Sequence, residues 1–290
     1  MTATTAEAVS AHSVTRNSLE VWGDPIAHSL SPRLHAAAYR ELGLPWSYGR
    51  RRVDEASFPA ELASLGAEFR GLSLTYPLKG VAYEAAVTRD RFATLTGAVN
   101  TLVMSVDGPH GYNTDVAGLV ADLRDHGAST VERARIVGAG ATATSALVAL
   151  ADLGACEVEV VARRAAAVGP LAALGARIGV TVTGRDFGTA PADAVSVTLS
   201  TLPGGATLPD GAGNSLAAGG GVLYDVVYGT WPTPLAVAWE AAGGRAVNGL
   251  GMLLHQAVRQ VRIFTAGDAD LPLPGEEAVV AVMRSALMGD

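Results

Sequence analysis

The chain has 290 residues, 49% of them apolar and 17% charged, with a formal charge of −7. That length holds one large domain or two modest ones with real cores, and the apolar share excludes a disordered chain. The acidic balance excludes the basic stripe that nucleic-acid binding needs.

A single cysteine, Cys156, rules out an intramolecular disulfide and suits a reducing cytoplasm. The opening stretch, residues 1–16, has no basic start followed by an apolar core, so it reads as a polar leader and not a secretory signal. The longest uncharged stretch, 136–151, is broken by Gly and Thr and is too short and polar for a membrane span. The expectation is a cytoplasmic protein, monomer or homodimer, with no nucleic-acid or membrane partner.

In chain order, "LEVWG" reads as a strand, "SPRLHAAAYREL" as a helix and "WSYGRRRV" as a second strand. "EASFPAELASL" is the next helix and "RGLSLT" a third strand. "YPLKGVAYEAAV" begins a helix with Pro77 expected in its first turn, where a missing N–H costs nothing. "AVNTLVM" is a further strand, taken to include Asn100 and Thr101. From about Leu119 the rhythm is more regular. The strands are "RARIVG", "EVEVVA", "VTVT", "AVSVTL" and "GVLYDVV", separated by segments rich in Ala and Gly. "LGMLLHQAVRQVRIFT" is apolar at helical spacing, and a last helix covers roughly 275–287. The alternation predicts an α/β fold with mostly parallel sheets.

"RARIVGAGATATSALVALADLGA" places Gly138, Gly140 and Ala143 at G-x-G-x-x-A between a β-branched strand and an uncharged helix. Gly138 makes a tight turn, Gly140 lets a pyrophosphate approach the backbone, and Ala143 allows close helix–sheet packing. The phosphates would lie on free N–H groups at the helix N-terminus. A carboxylate at the end of the next strand would select NAD; this chain has Ala162, Arg163 and Arg164 there. Two solvated arginines would give the same pattern, but with no carboxylate competing at that place NADP is favoured.

Several polar groups remain. Ser29 and Ser31 precede a helix, and one serine suffices as its cap. Asn113, Thr114 and Asp115 precede another helix, where Asp115 alone could be an N-cap. Gln256 sits on a helix whose buried side would demand a partner for it. Lys79 falls in a helix's first turn, an unfavourable place for a cation, so stability does not explain it. His28 and His35 are not joined by a Cys or carboxylate cluster, so no metal site is expected. No G-x-S-x-G elbow is present.

Together "GDPIAHSLSPRLH", "GLSLTYPLKG", "GAVNT", "GYNTDVAG", "VGAGATA", "DVVYGTWPTPL" and "GLGMLLHQA" resemble the shikimate dehydrogenase family, in its order, over about residues 21–265. The resemblance implies a split substrate-binding catalytic domain, residues 17–118 plus 249–290, around an inserted Rossmann domain for NADP, residues 119–248. It implies reversible reduction of 3-dehydroshikimate to shikimate with NADPH. It also implies that Ser29 and Ser31 hold the substrate carboxylate, and that Thr75, Asn100, Asp115 and Gln256 bind ring hydroxyls. By the same resemblance Tyr228 touches substrate, and Lys79 is the catalytic acid/base paired with Asp115. Gly138, Ala139, Gly140, Ala141, Thr142, Ala162, Arg163, Arg164, Val226 and Gly249 match cofactor positions.

The chain departs from the family in places. Ser73 stands on the substrate side where Asn is frequent, which shortens one hydrogen-bonding arm. Ala162-Arg163-Arg164 replaces a common Asn-Arg-Thr, Val226 replaces a frequent Met, and Arg91 occupies an acidic position. Quinate or an aminoshikimate on the same scaffold is the nearest alternative substrate. A non-catalytic ligand-binding homologue is a further alternative, against which Lys79 and Asp115 both stand. Gly118 and Gly249 lie near the two domain crossings and are candidate hinges.

Overall fold

Period-2 apolar runs alternating with helical segments build two six-stranded sheets. The computed structural model describes residues 17–188 and 194–289, so the expected leader lies outside the described residues. The first half contains β1 (Ser18–Gly23), α1 (Ser31–Glu41), β2 (Ser47–Arg52), α2 (Phe58–Ala63), β3 (Phe69–Leu74), α3 (Lys79–Ala85), β4 (Thr88–Arg89), α4 (Arg91–Thr96), β5 (Thr101–Met104) and β6 (Pro109–Tyr112). Its sheet has the order β2-β1-β3-β5-β6-β4, and only β5 runs against its neighbours. The mostly parallel sheet is therefore as expected.

Three elements here were not foreseen. β6 is "PHGY", which begins on Pro and contains Gly, both poor strand formers. β4 is two residues long, and α4 is a six-residue helix capped by Asp90. Two placements also differ from expectation. Pro77 precedes the helix in a cis peptide bond after Tyr76, so Lys79 and not Pro77 opens α3. Asn100 lies just before β5, where its side chain turns to the site and not along the ladder.

The second half starts with α5 (Asp115–Asp125) and continues through β7 (Arg133–Val137), α6 (Ala141–Asp152), β8 (Glu157–Val161), α7 (Gly169–Ile178), β9 (Thr181–Arg185), β10 (Val197–Ser200), α8 (Ala212–Ala217), β11 (Val222–Asp225), α9 (Pro234–Ala241) and β12 (Ala246–Val247). The chain ends in α10 (Leu250–Ala266) and α11 (Glu276–Met288). The second sheet is parallel throughout in the order β12-β11-β10-β7-β8-β9, the doubly wound Rossmann arrangement. Its strand order reverses between β7 and β10, where the fold opens a crevice at the strands' carboxyl ends.

The terminal helices return to the first sheet. Leu254, Val258, Val261 and Phe264 of α10, with Val279 and Met283 of α11, pack on Leu19, Leu34 and Tyr39. The other face of that sheet buries Trp22, Phe58, Leu72, Leu78 and Leu102. A boundary at 118/119 falls inside α5, because Val116, Leu119, Val120 and Leu123 join the core of the second sheet. Gly118 is a packing glycine and not a loop hinge. A Cβ there would sit 3.0 Å from Gln256 Cβ, so any larger residue would push α5 and α10 apart by a few tenths of an ångström. A second tie at that crossing runs from β11, where Tyr224 donates to the buried Asp122 of α5.

Candidate active site

A cleft of about 570 Å³ opens between the two sheets. It is built from element ends. The end of β3 presents Ser73 and Thr75, the first residue of α3 presents Lys79, and the first residue of α5 presents Asp115. The start of α1 brings Ser29 and Ser31, α10 brings Gln256, and the loop after β11 brings Val226 and Tyr228. Asn100, Thr142 and Gly249 complete the wall. The structure therefore gathers every sequence-predicted substrate-side residue into one cavity, together with three from the cofactor set.

Lys79 Nζ donates to Asp115 Oδ2 at 2.6 Å. The other carboxylate oxygen of Asp115 accepts from Asn100 Nδ2 at 2.8 Å, and its backbone N–H donates to Asn113 Oδ1 at 3.0 Å. Asn100 is itself held: its Oδ1 accepts from Thr101 Oγ1 and from the Thr114 N–H, both at 2.9 Å. Asp115 is buried while Lys79 keeps access to the cleft. The result is an ammonium fixed at the cavity wall by a carboxylate that is fixed in turn. Bonds to a charged group held this way are the strong ones.

The surrounding polar groups divide in two. Ser29 Oγ accepts from the Ser31 N–H at 3.3 Å, and neither serine side chain caps α1, so both hydroxyls keep capacity for a ligand. Gln256 Nε2 donates to Leu253 O at 2.9 Å, which aims the amide along α10. Burial pushes the Tyr228 phenol above its ordinary range, so it stays a neutral donor at the cavity wall. Ser73 is already engaged: it accepts from Tyr48 OH at 2.6 Å and donates to Gln260 Oε1 at 2.9 Å. Its one proton is therefore spent inside the protein, and it can only accept from a substrate.

The loop carrying Val226 and Tyr228 is braced from below. The buried Asp225 carboxylate accepts from Thr233 Oγ1 at 2.8 Å and from the Val227 N–H at 3.1 Å. Gly249 lies against the Val226 carbonyl so closely that any Cβ would collide with it.

The cofactor side has different chemistry. A second cavity of about 240 Å³ is lined by Gly138, Ala139, Gly140, Ala162, Arg163, Arg164 and the segment 201–203. It lies at the reversal between β7 and β10. Gly138 has φ +109°, and a Cβ on it would sit 2.6 Å from Thr201 Oγ1. Gly140 caps α6 without a side-chain bond, and the space over it is open. Ala141 and Thr142 follow as the first helical residues, Thr142 reaching the larger cleft. Arg163 and Arg164 are exposed, and their guanidinium groups make no hydrogen bond or ion pair among the described residues. Open glycine backbone, a helix N-terminus and two uncommitted guanidinium groups fit a dinucleotide with an additional phosphate.

Sequence reasoning missed Gln260, Tyr48 and the part His35 plays. Gln260 lies one helical turn beyond Gln256 on the same face of α10, which was a usable signal. His35 is fully buried, and both of its ring nitrogens have side-chain partners. Among the described residues, Asp122, Asp125 and His255 offer atoms within 4.8 Å of one another, but Asp122 is bound by Tyr224 and His255 by Asp125.

A family model described as the shikimate dehydrogenase substrate binding domain matches residues 21–102. The chain is 39% identical over 247 residues to the shikimate dehydrogenase (NADP(+)) of Methylobacterium radiotolerans, covering 82% of this chain and 87% of that protein. It is similar to the crystal structure of Mycobacterium tuberculosis shikimate dehydrogenase, with a TM-score of 0.81 and 40% identity over 93% of this chain and 99% of that one. The shikimate 5-dehydrogenase of Thermus thermophilus in complex with NADP(H) and shikimate has a TM-score of 0.76 and 27% identity, over 93% and 99% of the two chains.

Proposed function

The chain belongs to the shikimate dehydrogenase family, and from that premise we propose that it interconverts 3-dehydroshikimate and shikimate with NADP(H) in the cleft between its two sheets. The observation that carries this is the Lys79–Asp115 pair, 2.6 Å apart, at the wall of a cleft that also reaches Thr142 of the helix following the glycine loop.

Bound NADPH supplies the hydride. Lys79 Nζ donates a proton to the carbonyl oxygen of the substrate, stabilising the alkoxide as it develops, and takes a proton back in the reverse direction. Asp115 holds the ammonium in place with one oxygen, and Asn100 prevents that carboxylate from turning. Ser29 and Ser31 receive the substrate carboxylate at the start of α1, where the helix dipole also favours an anion. Thr75, Gln256 and Tyr228 contact the ring from three elements. Ser73 offers an acceptor in place of a longer amide arm. Gly138–Thr142 would receive the pyrophosphate, and Ala162, Arg163 and Arg164 the ribose bearing the 2′-phosphate. Val226 and Gly249 would hold the nicotinamide end in the larger cleft.

Residues 17–118 plus 249–290 form the substrate side of this reading and 119–248 the cofactor side, with α5 shared. Among the described residues no helix is long and apolar enough to cross a membrane. The proposal places the enzyme in the cytoplasm, as monomer or homodimer.

The test is NADPH or NADH formation from shikimate and from quinate, each with NADP and with NAD. Shikimate with NADP should give the highest kcat/KM. Turnover of quinate above shikimate would reassign the substrate, and NAD above NADP would remove the role of Arg163. No turnover with any pair would favour a non-catalytic ligand-binding homologue.

A further inference from the structure

Behind the reacting pair lies a second buried network, centred on Gln260. This side chain is 2% exposed and lines the floor of the cleft from α10. All four of its hydrogen-bonding positions are used. Oε1 accepts from Ser73 Oγ at 2.9 Å and pairs with His35 Nε2 at 3.1 Å. Nε2 donates to Thr101 Oγ1 at 3.0 Å and to the Asn100 carbonyl at 3.3 Å.

These contacts fix the direction of every proton. A carbonyl oxygen can only accept, so His35 carries its proton on Nε2, and its Nδ1 accepts from Tyr39 OH at 3.0 Å. Burial lowers His35 to about 3, so the ring is neutral and one nitrogen donates while the other accepts. Rotating the Gln260 amide by half a turn would set its oxygen against the Asn100 carbonyl oxygen, which can only accept. Because Gln260 donates to Thr101 Oγ1, the Thr101 hydroxyl proton is left for Asn100 Oδ1, at 2.9 Å. That bond, with the Thr114 N–H, turns Asn100 so that its Nδ2 meets Asp115 Oδ1. The donors run in one sense: His35 to Gln260, Gln260 to Thr101, Thr101 to Asn100, Asn100 to Asp115.

We infer that Gln260, braced by His35, is a positioning residue whose amide orientation sets the Thr101–Asn100 clamp and through it the carboxylate that holds Lys79. The inference rests on the reading of Lys79 and Asp115 as the reacting pair. It predicts more than structural support, because the polarity of the Thr101 hydroxyl is what reaches the site. A carboxylate in place of the amide would reverse that hydroxyl and release Asn100 Oδ1. A neutral carboxyl would not.

Gln260→Glu makes this measurable, since burial at this place pushes a carboxyl up toward the pH range of turnover. The wild type, Gln260→Glu, Gln260→Leu and Lys79→Ala are compared for kcat against pH, with the Tm of each. The expected result is an additional ionisation in Gln260→Glu, with kcat falling about tenfold or more as pH rises through it, and the KM for NADP unchanged. Gln260→Leu should lose a similar factor at every pH. Gln260→Glu is nearly isosteric, so it carries the test if Gln260→Leu does not fold. Folded Gln260 variants whose kcat–pH profiles parallel the wild type, beside an inactive Lys79→Ala, would overturn the positioning role alone. A Lys79→Ala enzyme near wild-type turnover would overturn the reacting pair, and this role with it.

Discussion

The substrate half of the cleft and the cofactor half are built on opposite principles. In the substrate half the polar side chains around the reacting lysine are already bonded to one another: Lys79 to Asp115, Asp115 to Asn100, Ser73 to Tyr48 and Gln260. In the cofactor half the groups are left open. Gly140 faces empty space, and the guanidinium groups of Arg163 and Arg164 have no protein partner among the described residues. The difference follows from what each half receives. A small ring with neutral hydroxyls contributes little binding energy of its own, so its partners must be held in place beforehand. A dinucleotide brings several phosphate charges and orders flexible cations as it binds. The chemistry therefore belongs to the rigid half and much of the affinity to the open one.

Breaking the rigid half at its centre has the largest expected effect. Lys79→Ala should lower kcat by about 10²-fold or more, the usual scale for a lost general acid, with a far smaller change in shikimate Kd. Steady-state turnover beside calorimetric binding checks this, and equal losses in both would assign Lys79 to binding. In the open half, Arg163→Ala should raise the KM for NADP by about tenfold, the scale of one charge-assisted contact. The KM for shikimate should stay within about twofold. A parallel rise in both would argue against a 2′-phosphate contact.

The two loop glycines sharpen the contrast further. Gly138→Ala places a Cβ at φ +109° and 2.6 Å from Thr201 Oγ1, so thermal melting should show a loss of stability. Gly140→Ala meets no protein atom, so its Tm should match the wild type while NADP binding weakens. A lowered Tm for Gly140→Ala would mean that the loop is a structural turn and not a phosphate cradle.

The smallest effect is a slope. In the unfolded chain His35 takes a proton near 6.5, whereas in the fold burial delays this to about 3. Lowering the pH across that window favours the unfolded chain, and the full stability is present above it. The loss attributable to His35 between pH 7 and pH 4 is about 3 kcal/mol. Denaturant unfolding at the two pH values should show a shallower loss for His35→Gln. An unchanged slope would mean that His35 is protonated in the fold, which would also break the tautomer on which Gln260 depends.

Much of this was legible in the sequence because the informative groups sit at element ends. The G-x-G-x-x-A turn, the strand that delivers Thr75 and the helix that carries Lys79, though not its first residue, are local patterns, and local patterns survive folding. What stayed hidden depends on distant partners. Gln260 and His35 are 225 positions apart, and each alone resembles an ordinary core polar residue. β6 was invisible because Pro109 and Gly111 oppose strand formation, and pairing with β5 overrides that preference. α5 reads as one amphipathic helix, yet its first residue serves the first sheet's side of the cleft and its apolar face joins the second core. No window of sequence shows that division.

The contrast between the halves is tested most directly by single-turnover NADPH formation from shikimate at saturating NADP, in Lys79→Ala and Arg163→Ala side by side. The account predicts that Arg163→Ala keeps the wild-type rate within about threefold once saturated, while Lys79→Ala stays about a hundredfold or more below it at any concentration. Recovery of Lys79→Ala at saturation, or a persistent loss in Arg163→Ala equal to that of Lys79→Ala, would contradict the division of chemistry and affinity between the two halves.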